Sequence, residues 1–214
     1  MAEKTLAEID FAALTARRFT PSPAAWEDQA LYFLMLDRFS DGNEQGYLDN
    51  EGSPVATGTT PMFQLADAGN AVATGADADR WNEAGIRFVG GTLAGLRTKL
   101  EYLKRLGVTG IWVSPVFRQL RSQESYHGYG IQHFLDVDPR FGTRDDLRAL
   151  VEEAHRLGIY VILDIIFNHA GDVFAYDPDR YLTPDGRGGE FLDPRWDDRP
   201  YRVAGFRDRD GSPT

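Results

Sequence analysis

Three stretches of the sequence place polar or aromatic residues where an apolar run ends. The first is ILDIIFNHAGD, residues 162–172, whose apolar run carries Asp164 and ends on Asn168 and His169. In a regular strand the side chains of Asp164 and Asn168 lie on the same face, and His169 lies where the strand ends. A buried carboxylate needs a partner, so Asp164 is either a satisfied structural group or part of a site. Asn168 is either a loop cap or an oxygen ligand for a hard cation such as calcium, and His169 alone could be a surface histidine.

The second stretch is SYHGYG, residues 125–130, in which Tyr126, His127 and Tyr129 lie among glycines. Aromatic faces beside hydrogen-bonding groups suit sugars, whose rings present apolar C–H faces and polar hydroxyl edges. The alternative is that both tyrosines pack on the scaffold. This loop is therefore a candidate sugar-binding element.

The third stretch is DRFSDGN, residues 37–43. Asp41 and Asn43, with Asp49 and Asn50 further on, offer oxygen ligands for a metal in a glycine-containing turn. Asp-Gly-Asn is also an ordinary turn sequence, so both interpretations stay open.

Two helix-to-strand units must position these residues. In residues 90–115, leucines repeat at helical spacing, Gly107 is placed to end the helix, and VTGIWV follows as a strand. In residues 142–169, Thr143 and Asp146 form a plausible N-terminal cap, Gly158 ends the helix, and the strand of the first stretch follows. The two predicted apolar stripes are Leu93, Leu96, Leu100, Leu103 and Leu106, and Leu147, Leu150, Val151, Ala154 and Leu157. Repeated units of this kind predict an α/β fold with parallel strands.

The remaining segments are less regular. Residues 1–20 could form a short amphipathic helix, and residues 30–39 are predicted as a strand covered on both faces. Residues 40–85 are too long for an ordinary connection, and the chain after residue 170 consists of turns, charges and aromatics. An open nucleotide-binding sheet and a closed barrel both remain possible. The segment VGGTLAGL, residues 89–96, fits neither glycine-rich phosphate-binding pattern and is interpreted as a turn that enters a helix.

Composition excludes several classes of function. The net charge is −10, which repels phosphate backbones, so no nucleic-acid partner is expected. The chain has no cysteine, so any metal must take oxygen or histidine ligands. It lacks an apolar secretory segment and any long apolar run, which predicts no membrane association and a cytoplasmic location. Nothing indicates an oligomeric state.

Taken in order, these stretches resemble the alpha-amylase family of glycoside hydrolases, family 13. The matching segments are LYFLMLDRFSDGN, residues 90–117, and the stretch from YHGY through DIIFNH. The resemblance implies a (β/α)8 TIM barrel of which about the first three β/α units are present. It divides the chain into an N-terminal extension (1–29), the first part of the catalytic barrel (30–169) and the beginning of an inserted domain B (170–214).

The resemblance also assigns roles at the substrate site. Tyr129 is similar to the family's tyrosine that stacks on the sugar in subsite −1, and His127 to the histidine of the same loop that contacts this sugar. His169 is similar to a second histidine that hydrogen-bonds the sugar. Asp164 is similar to an aspartate that supports the site from the strand and is neither nucleophile nor acid. The implied substrates are starch-like α-glucans or maltooligosaccharides.

Calcium is the cofactor that the resemblance implies. Asn168 is similar to the asparagine that ligates calcium between the barrel and domain B. Asp41 and Asn43 resemble an additional calcium loop found in some members. His133 departs from the family's pattern, because many members have an aspartate there.

The family's chemistry is retaining hydrolysis or transfer at α-glucosidic bonds, with two carboxyl groups about 5–5.5 Å apart. The family's nucleophile Asp, acid/base Glu and third Asp come from strands four, five and seven. The segment GFRDRD, residues 205–210, is not the nucleophile motif, because Arg209 stands where Asp is required. The chain is therefore expected to contain part of subsite −1, to lack the catalytic carboxylates and to be inactive by itself.

Two rival functions remain. One is a non-catalytic binding or assembly subunit of alpha-amylase type. The other is a different β/α enzyme whose strand-end His, Asn and Asp bind a metal directly. The sequence does not distinguish hydrolysis from transfer.

Overall fold

The computed structural model describes residues 3, 5–16, 18–44, 53, 74–121, 124–176 and 203–208. The helices are α1 (Phe11–Thr15), α2 (Gly75–Ile86), α3 (Leu93–Thr98), α4 (Leu100–Arg105) and α5 (Arg144–Arg156). The strands are β1 (Leu31–Leu34), β2 (Gly110–Val113), β3 (Phe117–Gln119), β4 (Ile131–Val137), β5 (Tyr160–Leu163), β6 (Phe174–Tyr176) and β7 (Val203–Phe206). Short 3-10 turns span Leu6–Glu8 and Leu36–Arg38.

The central element is a parallel sheet in the order β1-β2-β5. Helices α3 and α4 lie between β1 and β2 in the chain, and α5 lies between β2 and β5. Successive strands of the parallel sheet are thus neighbours in it and are connected through helices, which confirms the predicted β/α units.

One face of this sheet forms the hydrophobic core with the helices. Tyr32 is in register with Ile111, and Leu34 with Val113. Ile111 and Val113 are fully buried in a cluster with the helices' leucines, Leu93, Leu96, Leu100, Leu103 and Leu150. On the other face, Phe33 and Trp112 pair in register with ring centroids 5.3 Å apart. They are 50% and 43% exposed, so the described residues cover only the helical face.

The helix signals in the sequence are confirmed with two corrections. Thr143 and Asp146 form the predicted capping box at the start of α5. The predicted first helix is divided at Lys99, whose N–H bonds the carbonyls of Arg97 and Leu96. Leu106 was predicted in the apolar stripe but is 57% exposed, because α4 ends at Arg105.

Several elements differ from the sequence prediction. The N-terminal residues form a 3-10 turn followed by α1 instead of one helix, because Asp10 caps α1 by accepting the N–H of Ala13 at 2.9 Å. The strand predicted over 30–39 ends at Leu34. Helix α2 lies in the segment predicted as a long loop, and the antiparallel β3–β4 and β6–β7 pairs were not predicted.

The strand carrying the first candidate residues is also shorter than predicted. β5 ends at Leu163, so Asp164 is the first residue after the strand and not a residue within it. The alternation rule consequently does not place Asn168 beside Asp164. The domain boundaries at residues 29 and 169 stay predictions.

The contact between α3 and the turn after β1 predicts opposite effects at two helical glycines. A Cβ at Gly95 would lie 2.2 Å from the carbonyl oxygen of Ser40, whereas one at Gly85 in α2 meets open space. We expect Gly95→Ala to lower the free energy of unfolding by about 1–3 kcal/mol, because the backbone must shift. Gly85→Ala, the matched control, should raise it by about 0.5–1 kcal/mol. Urea unfolding measures both values, and equal effects would contradict the close contact.

Candidate active site

The carboxyl ends of the three parallel strands lie at one edge of the sheet and are joined by hydrogen bonds. The N–H of Ser114, after β2, donates to the carbonyl of Leu34 in β1 at 3.1 Å. The hydroxyl of Ser114 accepts the N–H of Leu36 at 3.0 Å. After β5, the N–H of Asp164 donates to the carbonyl of Val113 at 3.1 Å. Ligands of β/α folds bind at this edge of the sheet.

The loop of residues 125–130, here called the aromatic loop, joins β3 to β4 and is held close to the end of β2. The side-chain amide of Gln119, 3% exposed, donates to the carbonyl of Gly128 at 2.8 Å. Gly128 has φ +87°, and a Cβ there would lie 2.0 Å from the carbonyl oxygen of Pro115. Only glycine fits this backbone position.

The aromatic loop brings two of the predicted substrate residues into contact with the end of β5. The hydroxyl of Tyr129 donates to Oδ2 of Asp164 at 2.8 Å. The rings of His127 and Tyr129 are stacked, with centroids 5.5 Å apart and planes 25° apart. His127 therefore covers one face of Tyr129, and a sugar that stacks on this tyrosine must use the other face.

The hydrogen bond to His127 determines which of its ring nitrogens can donate to a ligand. Its Nδ1 accepts the backbone N–H of Tyr129 at 3.0 Å. Burial lowers the pKa of His127, which favours the neutral ring. A neutral ring that accepts at Nδ1 carries its proton on Nε2, so Nε2–H is the group that can donate to a hydroxyl.

The phenol of Tyr129 is held in its neutral form. Burial raises its pKa, and the hydrogen bond to Asp164 and the negative charge of that carboxylate raise it further. The phenol donates a hydrogen bond to Asp164, so the carboxylate that is predicted to support the site contacts the predicted stacking residue directly.

Asn168 and His169 lie beyond the end of β5 and are both exposed. The amide nitrogen of Asn168 lies 3.3 Å from Nδ1 of His169. Within residues 124–176, no hydrogen bond joins either of them to His127 or Tyr129. The substrate role of His169 stays a prediction.

The turn that carries Asp41 and Asn43 packs against α3. Oδ1 of Asp41 accepts the N–H of Asn43 at 2.8 Å, and a Cβ on Gly42 would lie 3.2 Å from Cα of Gly95. The carboxylate of Glu44 accepts the hydroxyl of Ser40 at 3.0 Å and pairs with Lys99 at 3.1 Å. The predicted further ligands Asp49 and Asn50 lie outside the described residues.

The donor types at both candidate calcium positions fit a hard cation. The amide nitrogen of Asn168 lies against His169, which leaves its oxygen as the group for a metal. At the other turn, Oδ2 of Asp41 is not used in the bond to Asn43. Among the described residues, no group of three or more His, Asp or Glu side chains could hold a metal ion. A complete shell of six to eight oxygens needs backbone carbonyls, water or other residues as well.

Two residues that the sequence analysis did not assign to the site lie directly behind the aromatic loop. Asp37 and Arg38 follow β1, and the guanidinium of Arg38 lies 3.9 Å from the ring centroid of Tyr126. One tyrosine of the loop, Tyr126, therefore packs on the scaffold, whereas the alternative interpretation has both tyrosines packed there. The signal in the sequence is a charged pair, Asp37 and Arg38, that follows the apolar residues 30–36.

The segment GFRDRD, rejected above as the nucleophile motif, begins in a separate sheet. β7 pairs antiparallel with β6, with Phe206 in register with Phe174. It is not a strand of the parallel sheet in the described residues. His133, which differs from the aspartate that many family members have at this position, lies in β4. Its Nδ1 accepts the N–H of Leu135 at 3.2 Å.

Parallel strands joined by helices, with polar and aromatic residues at the carboxyl edge of the sheet, define the class of β/α proteins that bind ligands at that edge. The family model for the alpha-amylase catalytic domain matches residues 33–194. The chain therefore belongs to the alpha-amylase family, and its three parallel strands are part of that family's TIM barrel.

The chain is also similar to three named proteins. The chain is 36% identical over 147 residues to a beta/alpha-amylase of Paenibacillus polymyxa, covering 69% of this chain and 10% of the relative. It is 31% identical over 176 residues to the periplasmic alpha-amylase of Escherichia coli, covering 76% of this chain and 22% of the relative. A Geobacillus thermoleovorans alpha-amylase, whose crystal structure is complexed with acarbose, is 33% identical in sequence. The match has a TM-score of 0.46 and covers 70% of this chain and 25% of that one. The chain thus spans a quarter or less of the length of these relatives.

Family membership overturns the rival interpretation as an unrelated β/α metal enzyme.

None of the described helices is long and apolar enough to span a bilayer. The cytoplasmic location stays a prediction.

The hydrogen bond at Nδ1 predicts the protonation state of His127. We expect its pKa to lie below the ordinary value of 6.5 and its proton to be on Nε2 at neutral pH, because the ring is partly desolvated. Since the folded pKa is lowered, the stability from the neutral ring is present above the ordinary pKa and is lost as the pH falls through the lowered value. Nitrogen-15 NMR titration of the histidine rings measures both properties, with His127→Gln to assign the signal. A proton on Nδ1 at neutral pH would contradict the geometry.

Proposed function

We propose that this chain supplies the sugar-holding part of subsite −1 in a retaining glycoside hydrolase or transglycosylase that acts on α-glucosidic bonds. The observation that carries the proposal is the Tyr129–Asp164 hydrogen bond of 2.8 Å, because it joins the aromatic loop to the end of β5. The relatives named above are amylases, which supports starch-like glucans or maltooligosaccharides as substrates.

Each residue has a separate task in this proposal. The ring of Tyr129 packs against the apolar face of the sugar. Asp164 fixes the orientation of this ring, because it accepts a hydrogen bond from the hydroxyl of Tyr129. His127 donates from Nε2 to a sugar hydroxyl, because its Nδ1 is occupied by the N–H of Tyr129. His169, which is exposed in the segment after β5, donates a hydrogen bond to a second sugar hydroxyl. Such contacts orient the anomeric carbon for attack.

The bond-breaking groups belong to other parts of the protein in this proposal. Retention requires a carboxylate nucleophile and a carboxylic acid about 5–5.5 Å apart on either side of the glycosidic bond. Asp164 does not suit either role, since its carboxylate is engaged with the phenol of Tyr129. The two carboxyl groups are therefore expected from barrel strands that follow this chain in the sequence.

Calcium has a structural role in the proposal. The side-chain oxygen of Asn168 would hold one ion, and Asp41 with Asn43 would hold a second. When bound, the ion supplies positive charge that fixes the loops around the carboxyl edge of the sheet.

The activity is tested on the complete protein and on the chain of residues 1–214. We expect the complete protein to cleave or transfer maltooligosaccharides with retention of the α configuration, which proton NMR of the first product detects. Tyr129→Ala should lower kcat/KM by roughly a hundredfold, since orientation of the sugar is lost. The chain 1–214 should show no turnover.

Two other outcomes would change the proposal. Clear turnover by 1–214 would show that the catalytic carboxylates lie within this chain. Binding of maltooligosaccharides by the complete protein without turnover would favour the non-catalytic subunit of alpha-amylase type.

The calcium sites are tested by metal-dependent stability, which does not depend on activity. At a calcium concentration of 100 times Kd, one site should add about 2.7 kcal/mol to the free energy of unfolding of the complete protein. Asn168→Ala should remove the part that belongs to the first site, and Asn43→Ala the part that belongs to the second. Asn168→Asp, which keeps an oxygen ligand, serves as the control. An unchanged calcium effect in both alanine variants would contradict these positions.

A further inference from the structure

Arg38 is held rigidly at the end of β1. Its Nε pairs with Oδ2 of Asp37 at 3.1 Å, and its Nη2 donates to the carbonyl of Arg87 at 2.9 Å. Asp37 is 1% exposed, and its carboxylate also accepts the N–H groups of Val89 and Gly90 at 2.9–3.0 Å. A buried carboxylate with these partners leaves the arginine little freedom to move.

The opposite side of the guanidinium meets the aromatic loop. The carbon Cζ of Arg38 lies 3.9 Å from the ring centroid of Tyr126, which is the geometry of a cation–π contact. The ring of Tyr126 meets the ring of His127 edge-on, with centroids 5.3 Å apart and planes 74° apart. His127 is thus confined between Tyr126 on one side and the stacked ring of Tyr129 on the other.

These contacts form a continuous series from the end of β1 to the end of β5. In order, its members are Asp37, Arg38, Tyr126, His127, Tyr129 and Asp164. Both termini of the series are carboxylates at strand ends, and both are held by hydrogen bonds. The orientation of His127 in the middle therefore depends on both.

We propose that Arg38 is a positioning residue for sugar binding, which acts through Tyr126 to hold His127 with its Nε2–H directed at the substrate. Arg38 does not touch the sugar. Its loss frees the ring of Tyr126 and widens the range of orientations open to His127, so fewer molecules present the donor correctly. The inference rests on the proposed sugar-binding function of the aromatic loop.

The first test measures the dissociation constant for maltotriose by calorimetry on the complete protein, at a temperature low enough that turnover during an injection is negligible. We expect Arg38→Met to raise it on the order of tenfold, since the arginine's contact with the ring is lost. Arg38→Lys keeps the charge but loses the planar fork, and should give an intermediate value. Tyr126→Leu removes the ring while leaving the Asp37–Arg38 pair intact, and should raise the constant as Arg38→Met does.

Arg140 provides the matched control. Its guanidinium pairs with the buried carboxylate of Asp138 at 2.9 Å and lies 4.1 Å from the ring centroid of Phe88. Neither partner belongs to residues 125–130. Arg140→Met should therefore lower the thermal midpoint about as much as Arg38→Met without changing maltotriose affinity.

A double-mutant cycle separates positioning from general destabilisation. In a His127→Ala background, Arg38→Met should have no further effect on affinity, because the group that it positions is absent. An additive effect in that background would overturn the inference, as would wild-type affinity in Arg38→Met or Tyr126→Leu. If the wild-type protein neither binds nor cleaves maltotriose, the proposed function fails as well. Wild-type binding with unchanged affinity in the variants refutes only the role of Arg38.

Discussion

The site depends first on one buried charge, the carboxylate of Asp37 at the end of β1. A buried carboxylate is costly without partners, and removing one partner of such a group leaves the charge uncompensated. Its hydrogen-bond donors are the N–H groups of Val89 and Gly90, and the guanidinium of Arg38 forms an ion pair with it. Its backbone carbonyl accepts the N–H of Gly91 at 2.9 Å. One residue thus joins β1 to the segment that begins α3 and fixes the arginine behind the aromatic loop.

The aromatic loop is attached to the sheet at several points that differ in kind. Arg38 contacts it through the ring of Tyr126, and Asp164 accepts the hydroxyl of Tyr129. Gln119 and the tight approach of Gly128 to Pro115 hold its backbone. Arg38, Pro115 and Asp164 follow β1, β2 and β5, and Gln119 lies in β3, so correct packing of these strands orients the loop before any ligand arrives. Preorganisation of this kind reduces the entropy lost on binding.

The parts of the fold that follow from periodicity were predictable. The stripe from Leu93 to Leu103 and the Thr143–Asp146 cap are local patterns, and both are confirmed. Helix α2 was missed because its sequence, GADADRWNEAGI, has no apolar stripe to signal a helix. β3 was missed because it has only three residues and irregular register with β4. Leu106 and the end of β5 show that boundaries are the weakest predictions.

The site was predictable in its residue types but not in its contacts. A tyrosine and a histidine between glycines, and polar residues after an apolar run, are local signals. The bond between Tyr129 and Asp164 and the contact between Arg38 and Tyr126 join residues far apart in the sequence. Such pairs depend on strand order and register, which one sequence without comparison to others does not specify.

The chemistry of the aromatic loop suits holding a neutral sugar better than cleaving it. Sugar hydroxyls are recognised by neutral donors and ring faces, and His127 and Tyr129 are both held in their neutral forms, with lowered and raised pKa respectively. The charged groups beside them, Arg38 and Asp164, contact aromatic side chains. Bond cleavage instead requires a carboxylate at the anomeric carbon and a proton donor at the leaving oxygen. In the proposed function, orientation of the sugar and attack on it belong to different strands, so changes in the aromatic loop are expected to alter affinity without altering the nucleophile.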